Sequence, residues 1–289
     1  MRDICVIGDC FVDIIVPVDG LVPNGAHERE IYVFNGGTAN VAVWMSRLGK
    51  KAGFFGKIGS DPLGYTFKKN LSEECVNDLT VQSDNYPTGI CVSLVGASGS
   101  RSMITNRGVN DYLSVKEAKE FEEKIFDSNH LFFSGYSFIS PQTSDAVEYL
   151  MNKALERECK VWFNPGALNI VNDKIRGIID DYVNYLILNE DEGRALFSGL
   201  DEGKWFDKLQ KSVETVVMTK GSKGCMVFEG NSRINVPPIN VVEPIDTTGA
   251  GDAFAAGIIK GVLDGQTFEE SAYLGHETAG KVLNVFGAR

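Results

Sequence analysis

The stretch DTTGAGDAF, residues 246–254, decides how the fold of this chain is interpreted. Apolar residues recur every four positions from Phe254 onward, which predicts a helix that lays one face on a sheet. Gly249 and Gly251 allow the main chain to approach a ligand closely, and the amides of the first helical turn then point at an anion. Asp252 falls in that turn. The plain alternative is that the glycines only shape a turn and that Asp252 only caps the helix.

Phosphoryl transfer to an alcohol is the chemistry that this stretch permits. The helix dipole keeps a carboxylate in the first turn ionised. An ionised carboxylate beside an anion-binding turn can accept the proton of a hydroxyl group that attacks a phosphoryl group. The sequence therefore makes Asp252 the candidate base.

Strand-like and helix-like segments alternate along the rest of the chain, which favours a mostly parallel sheet covered by helices on both faces. The predicted strands are Ile4–Ile7, Gly53–Ile58, Leu131–Phe133, Val161–Phe163, Val183–Leu188, Val213–Met218 and Cys225–Glu229. The predicted helices are Ala39–Leu48, Leu63–Glu74, Ser144–Arg157, Asn189–Phe197, Ala250–Leu263 and Phe268–Leu283. Because no repeat or linker interrupts them, we expect one domain over residues 1–289.

Two excursions break this alternation, at about residues 11–34 and 89–106. Each contains two strand-like runs joined by a turn-forming stretch, and no crossover helix follows at once. We expect a small antiparallel sheet that stands off the main domain as a lid or a dimer surface. The alternative is a pair of ordinary hairpins on the edge of the main sheet.

Two further groups of residues are candidates for binding a substrate. Gly36, Gly37 and Asn40 lead into a helix that is apolar nearly all round, and they either hold substrate hydroxyls or allow tight packing of that helix. Asp9 and Asp13 follow the first strand, and ligands of open α/β sheets bind beyond the carboxyl ends of strands. The alternative for Asp13 is a solvent-facing position on an alternating strand.

Two other motifs are candidates for contacts with a nucleotide or a metal. Asn189 and Glu192 follow a strand and share a helix face, where a carboxylate could bind Mg²⁺ through water. A capping box gives the same pattern. The turn from Thr219 through Gly221 to Gly224 either faces a nucleotide or is a simple hairpin.

Composition argues against several classes of protein. The 289 residues carry a formal net charge of −11, which disfavours binding to nucleic acid or to an anionic membrane. There is no run of ~20 apolar residues and no signal-peptide core. The six cysteines are scattered without metal-ligand spacing, which indicates a reduced, cytoplasmic protein. The phosphate-loop, dinucleotide and nucleophile-elbow motifs are missing, which argues against those enzyme classes.

Taken together, the motifs resemble those of the ribokinase-like (PfkB) carbohydrate kinases over nearly the whole chain. Residues 246–252 resemble the family's C-terminal signature, D-T-x-G-A-G-D. Gly36, Gly37 and Asn40 resemble part of its N-terminal signature, and residues 189–192 resemble an N-x-x-E motif linked to Mg²⁺ and phosphate. The resemblance implies a ribokinase-like three-layer α/β sandwich with a central, mostly parallel sheet and a β lid. Family members often form homodimers through that lid.

The resemblance also implies a role for each motif. Asp252 is the base, and the amides of Gly249, Ala250 and Gly251 stabilise the charge of the transferring phosphoryl group. The implied substrate-binding residues are Asp13, Gly36, Gly37 and Asn40, with Asp9 and Arg107 as further candidates. The implied nucleotide-binding residues are Asn189, Thr219, Gly221, Gly224 and His276, although a lone helical histidine is as often at the surface. Glu192 would bind Mg²⁺ through water, and Asp246 and Thr248, with a C-terminal segment that is short here, would bind a monovalent cation.

The expected reaction is ATP-dependent, Mg²⁺-requiring phosphorylation of a hydroxyl of a neutral sugar. Family members that act on phosphorylated substrates usually have basic residues on the lid. The candidates here are Arg29, Arg101 and Arg107. An unpaired arginine on a lid more often lies at the surface, which favours a neutral substrate. One alternative is a nucleoside kinase, which would use stacked aromatic residues such as Tyr86, Tyr112, Tyr136 and Phe138. Another is a non-catalytic sugar-binding regulator, against which the intact Asp252 argues.

Overall fold

The strands and helices follow the apolar runs of the sequence closely. The computed structural model describes residues 1–18, 28, 30–96, 101–166, 172–198, 202–239, 244–285 and 287–288. The strands are β1 (Ile4–Ile7), β2 (Cys10–Val18), β3 (Tyr32–Gly37), β4 (Ala52–Phe55), β5 (Lys57–Gly59), β6 (Asn77–Asp78), β7 (Val81–Ser83), β8 (Gly89–Gly96), β9 (Arg101–Asn106), β10 (His130–Ser134), β11 (Lys160–Asn164), β12 (Tyr185–Asn189), β13 (Thr215–Thr219), β14 (Cys225–Glu229) and β15 (Ser232–Val236). The helices are α1 (Ala39–Arg47), α2 (Pro62–Glu73), α3 (Val115–Ile125), α4 (Pro141–Glu156), α5 (Asp173–Tyr182), α6 (Glu190–Leu196), α7 (Glu202–Leu209), α8 (Ala250–Leu263) and α9 (Phe268–Val282).

The main sheet has nine strands in the described part of the chain, in the order β15-β14-β13-β12-β11-β10-β1-β4-β6. The strands from β13 to β6 pair in parallel, and β14 and β15 add an antiparallel edge. Both faces of this sheet are buried, because successive strand residues belong to different cores. In β1, Cys5 and Ile7 pack with α3 to α7, whereas Ile4 and Val6 pack with α1, α2, α8 and α9. This arrangement confirms the predicted three-layer α/β sandwich.

A second sheet has the strand order β3-β2-β8-β9 and is called the small sheet below. Two antiparallel pairs, β2 with β3 and β8 with β9, are joined by a parallel pairing of β2 with β8. The strands come from the two stretches predicted to leave the main sheet. Residues 19–27, Arg29 and residues 97–100 within those stretches lie outside the described residues. The same holds for the side chain of Arg101.

The parallel strands bring three predicted motifs to one edge of the main sheet. β1, β12 and β13 end at Ile7, Asn189 and Thr219, and ligands of open α/β sheets bind at such carboxyl ends. The chain passes from β1 through Asp9 directly into the small sheet. In the ranges that the structure describes, no helix is long and apolar enough to cross a membrane.

Candidate active site

The turn before α8 has the shape that the glycines predict. Gly249 adopts a left-handed conformation (φ 75°), and a Cβ atom built on it would lie 2.2 Å from the Cβ atom of Ala288. Any larger residue at this position would therefore be strained and would clash. Gly251 is exposed, and a Cβ atom there would have no neighbour within 4 Å, so this position borders open space.

One amide of this turn is less available than predicted. The Ala250 N–H group donates a hydrogen bond of 3.3 Å to the carbonyl oxygen of Thr247. This bond corrects the expectation that the amides of residues 249–251 are all available to a ligand. The bond is long, and it closes the turn that presents Gly251 to the open space.

The base candidate Asp252 meets a substrate-binding candidate from the other end of the sequence. The Nδ2 atom of Asn40 donates to Oδ2 of Asp252 at 3.0 Å, although 212 residues separate them. Asn40 is 3% exposed, because α1 is buried between the sheet and α8, and Asp252 is half-buried in the first turn of α8. The contact holds one carboxylate oxygen in a fixed direction beside the turn that precedes α8.

The remaining substrate candidates lie where β2 and β3 lead into α1. Asp13 pairs with Phe34 across the small sheet, and a Cβ atom built on Gly36 would lie 1.8 Å from Oδ2 of Asp13. Gly36 therefore makes room for the Asp13 carboxylate rather than only for helix packing. Gly37 follows it and precedes Thr38, whose N–H group donates to the carbonyl oxygen of Asp9 at 3.1 Å.

Asp9, which is buried, forms an ion pair with Arg107, which is half-buried. Two guanidinium nitrogens of Arg107 donate to the two carboxylate oxygens of Asp9 at 2.8 and 3.2 Å, and Nε donates to Asp111 at 2.6 Å. Burial alone would lower the pKa of Arg107, but the two carboxylates outweigh burial and raise that pKa. The charges of both candidates are thus balanced inside the protein. A substrate contact by either of them stays a prediction.

Four predicted nucleotide-binding residues line one cavity of about 310 Å³. They are Thr219, Gly221, Gly224 and His276, and the cavity reaches Ala250 and Gly251 at the start of α8. Its other lining residues, which the sequence analysis missed, are mostly apolar: Ser222, Pro238, Ile239, Pro244, Thr247, Phe254, Ala279, Gly280 and Leu283. Burial lowers the pKa of His276, so its imidazole is neutral at pH 7. Its buried Nε2 atom has no hydrogen-bond partner among the described residues. The cavity therefore has a mostly apolar lining with one neutral imidazole, and such a lining suits a flat ring.

Asn189 and Glu192 form the capping box that the sequence analysis gave as the alternative. Each side chain accepts the backbone N–H group of the other at 2.9 Å, and neither residue lines the cavity. Asn189 nevertheless pairs in register with Thr219, which does line it. Burial raises the pKa of Glu192 to about 7. A nearby cation would favour the ionised form of this carboxylate.

The residues expected to bind a monovalent cation are hydrogen-bonded within the protein. Asp246 is 3% exposed, and its Oδ1 atom accepts from the N–H and hydroxyl groups of Thr248 at 2.9 and 2.7 Å. Its Oδ2 atom accepts from the N–H group of Gly287 at 3.0 Å. These three hydrogen bonds do not use up the acceptor positions of a carboxylate, of which there are about four, so the cation site stays a prediction. The described residues do not include a group of three or more histidine, cysteine or acidic side chains suited to a metal ion.

The aromatic residues considered for a nucleobase are engaged in contacts with other rings. Tyr86 and Tyr112 stack on each other, with ring centroids 3.7 Å apart and planes at 5°. Phe138 packs edge-on against Phe163 of the core, with centroids 6.2 Å apart. Tyr136 is 37% exposed, and its carbonyl oxygen accepts from Arg107. These contacts do not favour a nucleobase over a sugar.

A small-molecule kinase is the class of protein that this fold and site define. A family model described as pfkB family carbohydrate kinase matches residues 1–289, and the chain belongs to that family. Its members are ATP-dependent phosphotransferases that act on sugar or nucleoside hydroxyls, which confirms the function expected from the sequence.

Individual relatives agree with this assignment. The chain is 30% identical to an uncharacterized sugar kinase of Archaeoglobus fulgidus, over 85% of this chain and 96% of that protein. It is 29% identical to a ribokinase of Haemophilus influenzae, over 89% of this chain and 83% of that protein. The structure of adenosine kinase from Sinorhizobium meliloti superposes with a TM-score of 0.91 at 25% identity, covering all of this chain and 95% of the other.

Proposed function

We propose that this protein transfers the terminal phosphoryl group of ATP to a hydroxyl group of a neutral sugar, with Asp252 as the base. The observation that carries the proposal is the 3.0 Å contact between Asn40 and Asp252. It joins the residues proposed to bind hydroxyls to the helix start that faces the cavity. A substrate hydroxyl held there would lie between a proton acceptor and an anion-binding turn.

In the proposed mechanism, Asp13, Asn40 and the backbone of Gly36 and Gly37 orient the sugar by binding its hydroxyls. Asp252 accepts the proton of the reacting sugar hydroxyl while the oxygen of that hydroxyl forms a bond to the terminal phosphorus of ATP. The bond between this phosphorus and the bridging oxygen breaks, and ADP leaves. The amides at Gly249 and Gly251 and the dipole of α8 stabilise the negative charge on the transferring group. ATP supplies that phosphoryl group.

The proposed nucleotide site is the 310 Å³ cavity, with Thr219, Gly221, Gly224 and His276 in its wall and Asn189 beside it. The donor set suits Mg²⁺, because this ion keeps several waters and needs few protein carboxylates when phosphates also bind it. Glu192 is the carboxylate we assign to it, through water. The capping contact uses Oε2 of Glu192, which leaves Oε1 outside that contact.

A neutral substrate is proposed because Arg107 is paired with two carboxylates and does not offer its charge to a phosphate group. The similarity to an adenosine kinase supports a nucleoside as the second candidate substrate. A panel of hexoses, pentoses, ketodeoxy acids, inositol and nucleosides, assayed by ADP release and by identification of the product, separates the two. Turnover of nucleosides alone would remove the sugar proposal.

The substitution Asp252→Asn tests the mechanism. Asparagine keeps the size of the side chain and an oxygen that can accept from Asn40, but it cannot take a proton. We expect phosphorylation to fall by about 10²–10⁴ while sugar binding, measured by calorimetry, changes little. Asp264→Asn, at the exposed other end of α8, is the matched control. Unchanged turnover in the Asp252 variant would refute the mechanism, whereas sugar binding without any turnover in the wild type would favour the regulator alternative.

We further propose that the small sheet is a lid over the sugar and that two copies of the chain associate through its outer face. Val33, Ile14, Val92 and Ile104 are in register across all four strands of that sheet. Val33 and Ile104, at its edges, are 59% and 67% exposed. An apolar row of this kind supports association with a second copy.

Sedimentation over a range of concentrations tests the proposed dimer. Ile104→Asp should shift the mass towards that of the monomer, whereas Met103→Asp, on the opposite face of the same strand, should not. A wild-type protein that sediments as a monomer would contradict this part of the proposal.

A cytoplasmic location is proposed on the basis of the cysteines. All six are free, and four of them are buried. Fractionation of the source cells with an antibody against this chain tests the location.

A further inference from the structure

Gly287 and Ala288, called the 287–288 segment, contact the turn before α8 at two points and α1 at a third. The Gly287 N–H group donates to Oδ2 of Asp246 at 3.0 Å. Ala288 lies directly on Gly249, where a Cβ atom would have only 2.2 Å of room. The carbonyl oxygen of Ala288 accepts from Nε1 of Trp44, on α1, at 2.9 Å in a buried position. The 287–288 segment is thus held by Trp44 on α1, and it contacts Asp246 and Gly249 of the turn before α8.

Asp246 links this segment to the turn. Its carboxylate is buried and accepts three hydrogen bonds, two from Thr248 inside the turn and one from Gly287, which lies 41 residues further along the chain. A buried carboxylate is costly unless such donors surround it. The loss of any one donor would therefore loosen the whole arrangement.

The turn needs external support because α8 lacks a cap of its own. Gly249 occupies the N-cap position, and it has no side chain that could accept a hydrogen bond from the amides of the first turn. The left-handed conformation of Gly249 decides where the amides at residues 249 and 251 point. Preorganised donors contribute to catalysis only if their direction is fixed before the reaction.

We propose that the 287–288 segment and Trp44 are positioning residues that hold the turn before α8 in its active shape. The inference rests on the proposed function, because the turn matters for catalysis only if it binds the transferring phosphoryl group. The Gly287 amide donates to the Asp246 carboxylate, which also accepts from Thr248 inside the turn. The Trp44 N–H group fixes Ala288 where it lies against Gly249.

The substitution Trp44→Phe tests the support. It removes the donor to Ala288 and leaves that carbonyl oxygen buried and unpaired. We expect kcat to fall about tenfold or more, with the KM values for sugar and ATP within about twofold. Ala288→Gly, which removes the methyl group that faces Gly249, should lower kcat in the same selective way.

Trp162→Phe is the matched control, because it removes a buried indole N–H bond to His130 (3.2 Å) in the same core, away from the turn. It should lower thermal stability by a similar amount and leave kcat within about twofold of the wild type. If kcat falls equally in the Trp44 and Trp162 variants, the role of Trp44 is only structural and the proposal is overturned.

Hydrogen exchange separates a failure of this inference from a failure of the proposed function, because it needs no turnover. Amides of residues 247–252 should exchange faster in Trp44→Phe than in Trp162→Phe; equal rates overturn the inference.

Discussion

The two glycines of the turn before α8 have different roles: Gly249 is a structural position, and Gly251 is a position for the chemistry. Gly249 is surrounded by protein, whereas Gly251 faces open space, although the two glycines are only two residues apart. The same methyl group added at each position should therefore have different effects, and these effects separate folding from catalysis.

The variant Gly251→Ala should fold with a melting temperature within a few degrees of the wild type, because its Cβ atom meets no protein atom. Its kcat/KM for ATP should fall at least about tenfold, because the methyl group occupies the space we assign to the transferring phosphoryl group. Gly249→Ala should lose both stability and activity, because it is strained at φ 75° and clashes with Ala288. A fully active Gly251→Ala variant would show that phosphate does not approach this amide.

The carboxyl group of Glu192 should make stability depend on pH. Burial raises its pKa from 4.5 to about 7 in the folded state, so the folded protein binds this proton more tightly than the unfolded chain does. The resulting stabilisation is fully present below about pH 4.5 and is lost as the pH rises to about 7. Each pKa unit corresponds to about 1.4 kcal/mol, so the loss amounts to at most about 3 kcal/mol.

Urea denaturation of the wild type and of Glu192→Gln between pH 4.5 and 8 measures this effect. Glutamine keeps an acceptor for the Asn189 amide and does not titrate. The difference in unfolding free energy between the two proteins should shift in favour of the variant as the pH rises through this range. A difference that does not change with pH would mean that Glu192 is ionised at no cost in the folded state.

Between elements, the Asp9–Arg107 pair joins the loop after β1 to the end of β9. Removing one partner of a buried pair leaves an uncompensated charge and costs about 3–5 kcal/mol. We expect Arg107→Met to lower the unfolding free energy by about 3 kcal/mol in urea denaturation. Arg194→Met, which removes an arginine that also faces two carboxylates but is 65% exposed, should cost less than about 1 kcal/mol. Equal costs for the two variants would contradict a buried structural pair.

At the scale of elements, the sequence predicts those that are apolar and misses those that are mostly solvated. The inner strands of the main sheet and helices α1 and α8 are apolar on most sides, and most of their predicted bounds agree with the structure to within a few residues. The predicted strand Gly53–Ile58 is wrong as one element, because β4 ends at Phe55 and β5 pairs with β7 in a separate sheet. The edge strands β6 and β15 were not predicted.

Helices α3, α5 and α7 were not predicted from the sequence. In α3, only Ala118 and Ile125 are buried, and charged residues fill most of the other positions. Such a surface helix carries a weak apolar signal, although its capping box at Ser114 and Glu117 was available.

The candidate site was predictable where one motif carries the chemistry, and unpredictable where distant segments meet. Asp252, Asn40 and the Thr219–Gly224 turn were identified from local patterns. The contact between Asn40 and Asp252 was not predicted, because sequence spacing says nothing about a pair 212 residues apart. The support that Trp44 gives to Ala288 has no local signature either, since Trp44 is one apolar residue of a buried helix.

In the whole molecule, we predict that binding of the sugar, and not binding of the nucleotide, slows hydrogen exchange in the small sheet. Asp13 lies on β2, whereas the cavity assigned to ATP is lined by none of the described residues of the small sheet. Binding of the sugar should therefore slow hydrogen exchange in β2 and β3, and an ATP analogue alone should not. Equal exchange with and without the sugar would contradict a lid.

The central claim is that Asp252 faces the reacting hydroxyl in front of the amides that start α8. A crystal structure with the sugar that the panel identifies and a non-hydrolysable ATP analogue measures this most directly. We predict a sugar hydroxyl oxygen about 2.6–3.2 Å from a carboxylate oxygen of Asp252, with the terminal phosphate of the analogue next to the Gly251 amide. A sugar bound with all its hydroxyls beyond reach of Asp252, or a terminal phosphate that points away from the start of α8, would contradict the claim.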